Sequence, residues 1–283
     1  MPAKLRQFVD AAQADGYLAA HRKLQQPRPL LGGPITVRIT QQGGGVFIAL
    51  PDFRKLDPHV FATPARPRWH GGSPGITGVP FAVRGVADGH YTRLKKLSPF
   101  GDKYVFLRKA HLELQLTDAT ATDAATTADR VRMVASWEDA KGNRYTVKCC
   151  LKLAAHGLEF PTFGGVVTNH LVHGFTGIGT PLMPTEFAYA AFWGMGEVSK
   201  NGKVLAKPRM VHGMLTEYVR TQGYALATDD QVDGSRWHFH LMVPPKKPVP
   251  AETRYADSPV PTGFMLPNGK QLPFWHVMFE DLT

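Results

Sequence analysis

With 283 residues, 43% hydrophobic and 20% charged, the chain is long and apolar enough to build a folded globular core, and its composition is not that of a disordered protein. A net charge of +10 favours encounter with anions. The basic residues are scattered, however, as in Arg22/Lys23, Arg66/Arg68 and Lys246/Lys247, and form no reading helix or known nucleic-acid motif, so nucleic acid is not an expected partner.

Residues 3–25 carry Leu5, Phe8, Val9, Ala12 and Leu18 at mostly helical intervals, which predicts an amphipathic helix docked on the main body. Asp10, Gln13 and Asp15 interrupt the apolar residues, so the pattern is not that of a secretory leader. No run approaches a membrane span, and a cytoplasmic location is expected. With residues 1–30 as a helical extension, the chain is read as one β-rich domain spanning 1–283.

Gly32-Gly33-Pro34 precedes the alternating Ile35-Thr36-Val37-Arg38-Ile39, a predicted strand. Gly43-Gly44-Gly45 then leads into Val46-Phe47-Ile48-Ala49-Leu50. No Gly-Lys-Ser/Thr follows these glycines, so they read as a tight turn and not a phosphate loop. Residues 51–80 are rich in Pro, Gly and Arg and form either an irregular surface crossing or a loop over a pocket mouth carrying Arg66, Arg68, Trp69 and His70.

From Tyr104 onward β-patterning dominates. Residues 105–116 alternate, with Leu112, Leu114 and Leu116 on one face and His111, Glu113 and Gln115 on the other. Turn chemistry at residues 138–144, 197–203 and 266–270 predicts three hairpins, two of them through Asn-Gly pairs at 201–202 and 268–269. The expected fold is therefore mainly β, an antiparallel barrel or strongly curved double sheet with the N-terminal docking helix. Cys149 and Cys150 are the only cysteines. As neighbours on a strand they should point to opposite faces, which predicts two unpaired thiols and fits a reducing compartment.

The chemistry concentrates in histidine and methionine. His170 and His173 lie in a glycine-rich segment that is a candidate pocket wall. Downstream, His212-Gly213-Met214, His238-Phe239-His240-Leu241-Met242 and His276-Val277-Met278 repeat at period two, so on strands each set presents its ligand-capable atoms to one face. Trp237, Phe239 and Leu241 should occupy the other face and back the imidazoles. Met210, His212, Met214, Thr216 and Tyr218 likewise alternate against Val211, Gly213, Leu215, Glu217 and Val219.

Imidazole suits zinc, copper and iron, and thioether favours copper, so a transition metal held by His212, His238 and His240 is the leading expectation, with copper preferred over iron or zinc. His170 or His173 would complete coordination or move protons, and Tyr218 would orient a substrate oxygen. The expected function is a metal-dependent oxidoreductase acting on a small apolar or aromatic organic substrate in a barrel pocket. Two alternatives use the same residues: a metal-free lyase or isomerase with His/Tyr acid-base chemistry, and a non-catalytic binding protein for a lipid, pigment or haem. No serine sits in a Gly-x-Ser-x-Gly elbow, which argues against an activated-serine hydrolase.

Overall fold

The computed structural model describes residues 30–61, 69–70, 73–74, 79, 81–87, 90–121, 128–153, 164–174, 176, 178–248 and 255–283. The expected N-terminal helix and the loop residues Arg66 and Arg68 lie outside the described residues. The fold is mainly β. Eleven strands form one antiparallel sheet: β1 (Ile35–Gln42), β2 (Val46–Ala49), β3 (Tyr104–Phe106), β4 (Arg108–Asp118), β5 (Arg130–Glu138), β6 (Arg144–Leu153), β7 (Val166–Val172), β8 (Glu186–Lys200), β9 (Lys203–Tyr218), β10 (Asp233–Val243) and β11 (Trp275–Phe279). Their order is β1-β4-β5-β6-β8-β9-β10-β11-β2-β3, with β7 added on β8.

The sheet is strongly curled into an antiparallel half-barrel. β1 and β2 follow each other in the chain across Gly43-Gly44-Gly45, yet they stand near opposite ends of the strand order. The bend needs glycine, because Gly43 and Gly44 have φ of 78° and 74°. Gly44 also lies so close to Asp281 that a Cβ would clash with its side chain. Ile39 of β1, Ile48 of β2 and Val277 of β11 join one apolar cluster with Trp137, Tyr145, Phe239 and Trp275, which identifies the inside of the curl.

The hairpin at Asn201-Gly202 forms as the sequence predicts, with φ of 50° and 79° at the two turn residues. The Gly142 turn joins β5 to β6. At 266–270 the turn forms, with Leu266 N–H donating to the Lys270 carbonyl at 2.8 Å, but only the isolated bridge Met265↔Gln271 flanks it, not a pair of strands. Among the described residues no helix is long and apolar enough to cross a membrane.

The cysteines depart from the sequence expectation. Cys149 and Cys150 are joined by a disulfide across a cis peptide bond, with their Cα atoms 3.0 Å apart. The opposite-face argument assumed a trans, regularly alternating strand. Here the β6–β8 register shifts between Cys149 and Lys152. The inference of a reducing compartment from unpaired thiols therefore loses its basis.

Candidate functional site

The outer face of β9, β10 and β11 carries the histidines. The register sets His212 opposite Met242 and Met242 opposite His276, while Met214 stands opposite His240 and His240 opposite Met278. The three His-x-Met triplets thus interlock as a checkerboard in which imidazole and thioether alternate along and across the strands. Directly opposed side chains on neighbouring strands are in contact range. Val211, Phe239, Leu241 and Val277, the residues between, point into the curl. Gly213 is one of these inward positions, and a Cβ there would meet the Phe192 and Phe239 rings at 2.4–2.7 Å.

The checkerboard is not solvated. The segment after β7, including His173, Ile178, Gly179, Thr180 and Met183, folds over it together with Phe100, and His212, His240, Met242 and His276 line the cavity beneath with Glu186 and Trp193. The pocket therefore lies on the outside of the curl and not within the barrel interior, which large side chains fill. Its volume is ≈ 60 Å³. An apolar cavity of about 150 Å³ is what accepts benzene. The cavity as built is smaller than that, and a molecule of a few heavy atoms matches it without movement of its wall.

Hydrogen bonds assign the imidazole tautomers. His276 Nδ1–H donates to the Pro99 carbonyl at 2.9 Å, which leaves its Nε2 as a lone pair. His276 Nε2 therefore accepts from His240 Nδ1–H at 3.3 Å. With its proton on Nδ1, His240 accepts at Nε2, and the 2.6 Å contact with His238 is filled by His238 Nε2–H. The rings thus form a chain of hydrogen bonds from His238 through His240 and His276 to the Pro99 carbonyl, with His238 Nδ1 left as a buried nitrogen without a partner. His212 Nδ1–H donates to the Phe192 carbonyl at 2.7 Å, and the His212 ring stacks on Trp193 with centroids 4.0 Å apart.

Burial keeps this set neutral. His212 and His276 are each lowered to about 3, and His173 to about 4, chiefly by desolvation. His238 and His240 are held well below the ordinary value by burial first and by neighbouring positive groups second. Among those groups is Arg220, 2% exposed, whose Nη1–H donates to the Gly101 carbonyl at 2.7 Å. Neutral imidazole is the form that binds a metal.

The residues picked out by sequence are placed unequally. His212, His240 and His173 line the cavity. His238 is fully buried behind it. Two nitrogens ligating one metal at roughly 2.0–2.1 Å in a tetrahedral site are about 3.3 Å apart. The His238–His240 contact of 2.6 Å is shorter than that spacing and holds a shared proton.

His170 stands outside the cavity, because Asn169, at φ 53°, interrupts the alternation of β7 just before it. Tyr218 is also outside. A register shift between Glu217 and Tyr218 sets it opposite Asp233, and its hydroxyl donates to Glu280 Oε1 at 2.7 Å.

His276 enters the site through the third His-x-Met triplet, a signal visible in the sequence. Glu186, Phe100 and Met183 arrive from other segments, and nothing in their local pattern marks them. Among the described residues, no group of three His, Cys, Asp or Glu side chains stands ready to hold a metal ion. Comparison with protein-family models, with curated proteins and with solved structures finds no match.

Proposed function

We propose that the cavity is a copper-type metal centre of an oxidoreductase acting on a very small organic or inorganic molecule. The observation that carries this reading is the pair of imidazole nitrogens, His240 Nδ1 and His276 Nε2, set 3.3 Å apart in a buried site where desolvation opposes further protonation. Their separation matches the edge between two ligands of one metal, and a metal there would displace the single proton they share. Further donors come from the thioethers of Met242 and Met214 and from His212, which line the same cavity. Imidazole with thioether favours copper over zinc. The carbonyl held by His276 and the one held by His212 supply the outer hydrogen bond that orients a ligating histidine. Bound copper would supply one-electron chemistry. The protein would contribute a buried, largely apolar pocket around it.

The test is elemental analysis of untagged protein from copper-supplemented medium, alongside His240→Ala, His276→Ala and Met242→Leu. Stoichiometric copper in the wild type, lost in both histidine variants and weakened in the methionine variant, is the expected result. Metal-free wild type, or unchanged stoichiometry in both histidine variants, would reject the centre. Weight would then move to metal-free proton transfer. That second reading draws on Glu186, whose carboxyl burial pushes up to about 8, lying 3.8 Å from His173 Nε2.

A further inference from the structure

The cavity wall opposite the checkerboard holds two polar groups that the metal reading leaves unused. Glu186 begins β8, is 0% exposed, and neither carboxyl oxygen has a hydrogen-bond partner. The Thr216 hydroxyl is near enough to favour its charged form, but the hydrogen bond that hydroxyl makes is to the Glu217 carbonyl at 2.9 Å. A buried carboxyl without hydrogen-bond partners is costly, so its retention calls for an explanation.

Facing it is His173, held in one orientation by its own loop. The Thr180 N–H donates to His173 Nδ1 at 3.0 Å, which puts the ring proton on Nε2, and that nitrogen lies 3.8 Å from Glu186 Oε1. This separation is beyond a hydrogen bond. His173 itself adopts φ 62°, and Gly179 passes so close that a Cβ there would lie 2.6 Å from His173 Nδ1. The loop thus accepts an uncommon backbone conformation and a glycine-only approach to aim one N–H into the cavity.

We propose that His173 and Glu186 form a clamp for a small neutral molecule that both accepts and donates hydrogen bonds, selecting it over apolar molecules of the same size. Its carbonyl or hydroxyl oxygen accepts the His173 Nε2–H, and its own N–H or O–H donates to Glu186. The apolar remainder of the wall, with Val172, Ile178 and Met183, and the ≈ 60 Å³ volume limit it to a few heavy atoms. The clamp rests on the reading of the cavity as the reaction site and names the class of substrate it takes.

Formamide and acetonitrile are suitable probes, since they match in heavy-atom count while only formamide donates. Saturation-transfer NMR on the full-length protein should show saturable formamide binding, and acetonitrile binding weaker by roughly tenfold or more, the factor that about 1.4 kcal/mol supplies. Glu186→Leu should lose the formamide response while its Tm stays equal or rises, because an unsatisfied carboxyl has been replaced by a packed apolar group. The absence of saturable formamide binding, equal responses to the two probes, or an unchanged response in Glu186→Leu would overturn the clamp. If that variant does not fold, the formamide–acetonitrile contrast in the wild type still decides. Copper content measured on the same samples separates the two readings: formamide selectivity without copper sinks the metal centre alone, and copper without selectivity sinks the clamp alone.

Discussion

The two faces of β9, β10 and β11 are both buried and are built on opposite principles. Inward, Val211, Leu241, Val277 and Phe239 are each 0% exposed and meet Trp137 and Trp275 in a continuous apolar core. Outward, at the residues between, imidazoles and thioethers border a void. One face gains from contact at every atom. The other holds imidazoles whose nitrogens bond from ring to ring and to backbone carbonyls. Strand alternation lets one chain segment build both, since each side chain is followed by one pointing the opposite way. Stability and chemistry are thereby assigned to neighbouring positions, such as Trp275 and His276, without competing for the same space.

Acid should separate the faces most strongly. The imidazoles of His173, His212, His238, His240 and His276 lie below their ordinary 6.5 in the folded state, so the unfolded chain binds more protons as the pH drops beneath that value. Their contribution is present above about pH 6.5 and is lost on acidification, at roughly 1.4 kcal/mol per pH unit for each. Glu186, raised to about 8, has the opposite sign. It favours the folded state progressively as the pH falls from 8 towards 4.5, and so cancels about one of the five. Urea unfolding of metal-free protein in steps from pH 7 to pH 5 should show a loss of several kcal/mol. A flat profile would mean that these imidazoles are not buried as neutral groups.

The inner face should respond to volume and not to pH. Trp275→Ala removes a 0% exposed ring that meets Trp137 at 5.1 Å and Tyr145 at 5.1 Å. Its cost should be about 3–5 kcal/mol in denaturant at neutral pH, the range for truncating a large core aromatic. The acid slope should persist in this variant, because no ionising group of the outer face is touched. A variant that lost the slope as well would show that the two faces do not behave independently.

Much of this division is legible in the sequence because period two is a local property. The His-x-Met spacing places its members on one face whatever the neighbouring strands do, and Asn201-Gly202 closes its hairpin through its own backbone preferences. Register is not local. The shift after Glu217 removes Tyr218 from the expected ladder, and only the pairing of β10 with β11 reveals that His240 also meets His276. Tautomers are further from view still, since they are set from the Pro99 carbonyl, remote in the chain from the rings it fixes. The imidazoles are expected in a barrel pocket, and lie instead outside the curl, for a related reason. Alternation states that two faces differ, but not which of them the curl encloses.

The smallest expected effect lies at Trp237, where the contrast between the faces ends. By parity Trp237 belongs with Phe239 and Leu241, yet it is 54% exposed, whereas those two are fully buried. Its ring meets Tyr189 edge-on at 6.3 Å, and no place in the inner core cluster is filled by it. Exposed apolar residues of this kind contribute little, and substitutions there usually fall within about 0.5 kcal/mol. Trp237→Ser should therefore leave urea stability within that margin and leave copper stoichiometry unchanged, although the next residue is His238. A cost approaching that of Trp275→Ala would extend the inner core to the end of β10. A loss of copper without a loss of stability would instead mean that backing from Trp237 holds His238, and through its shared proton His240, in register with His276.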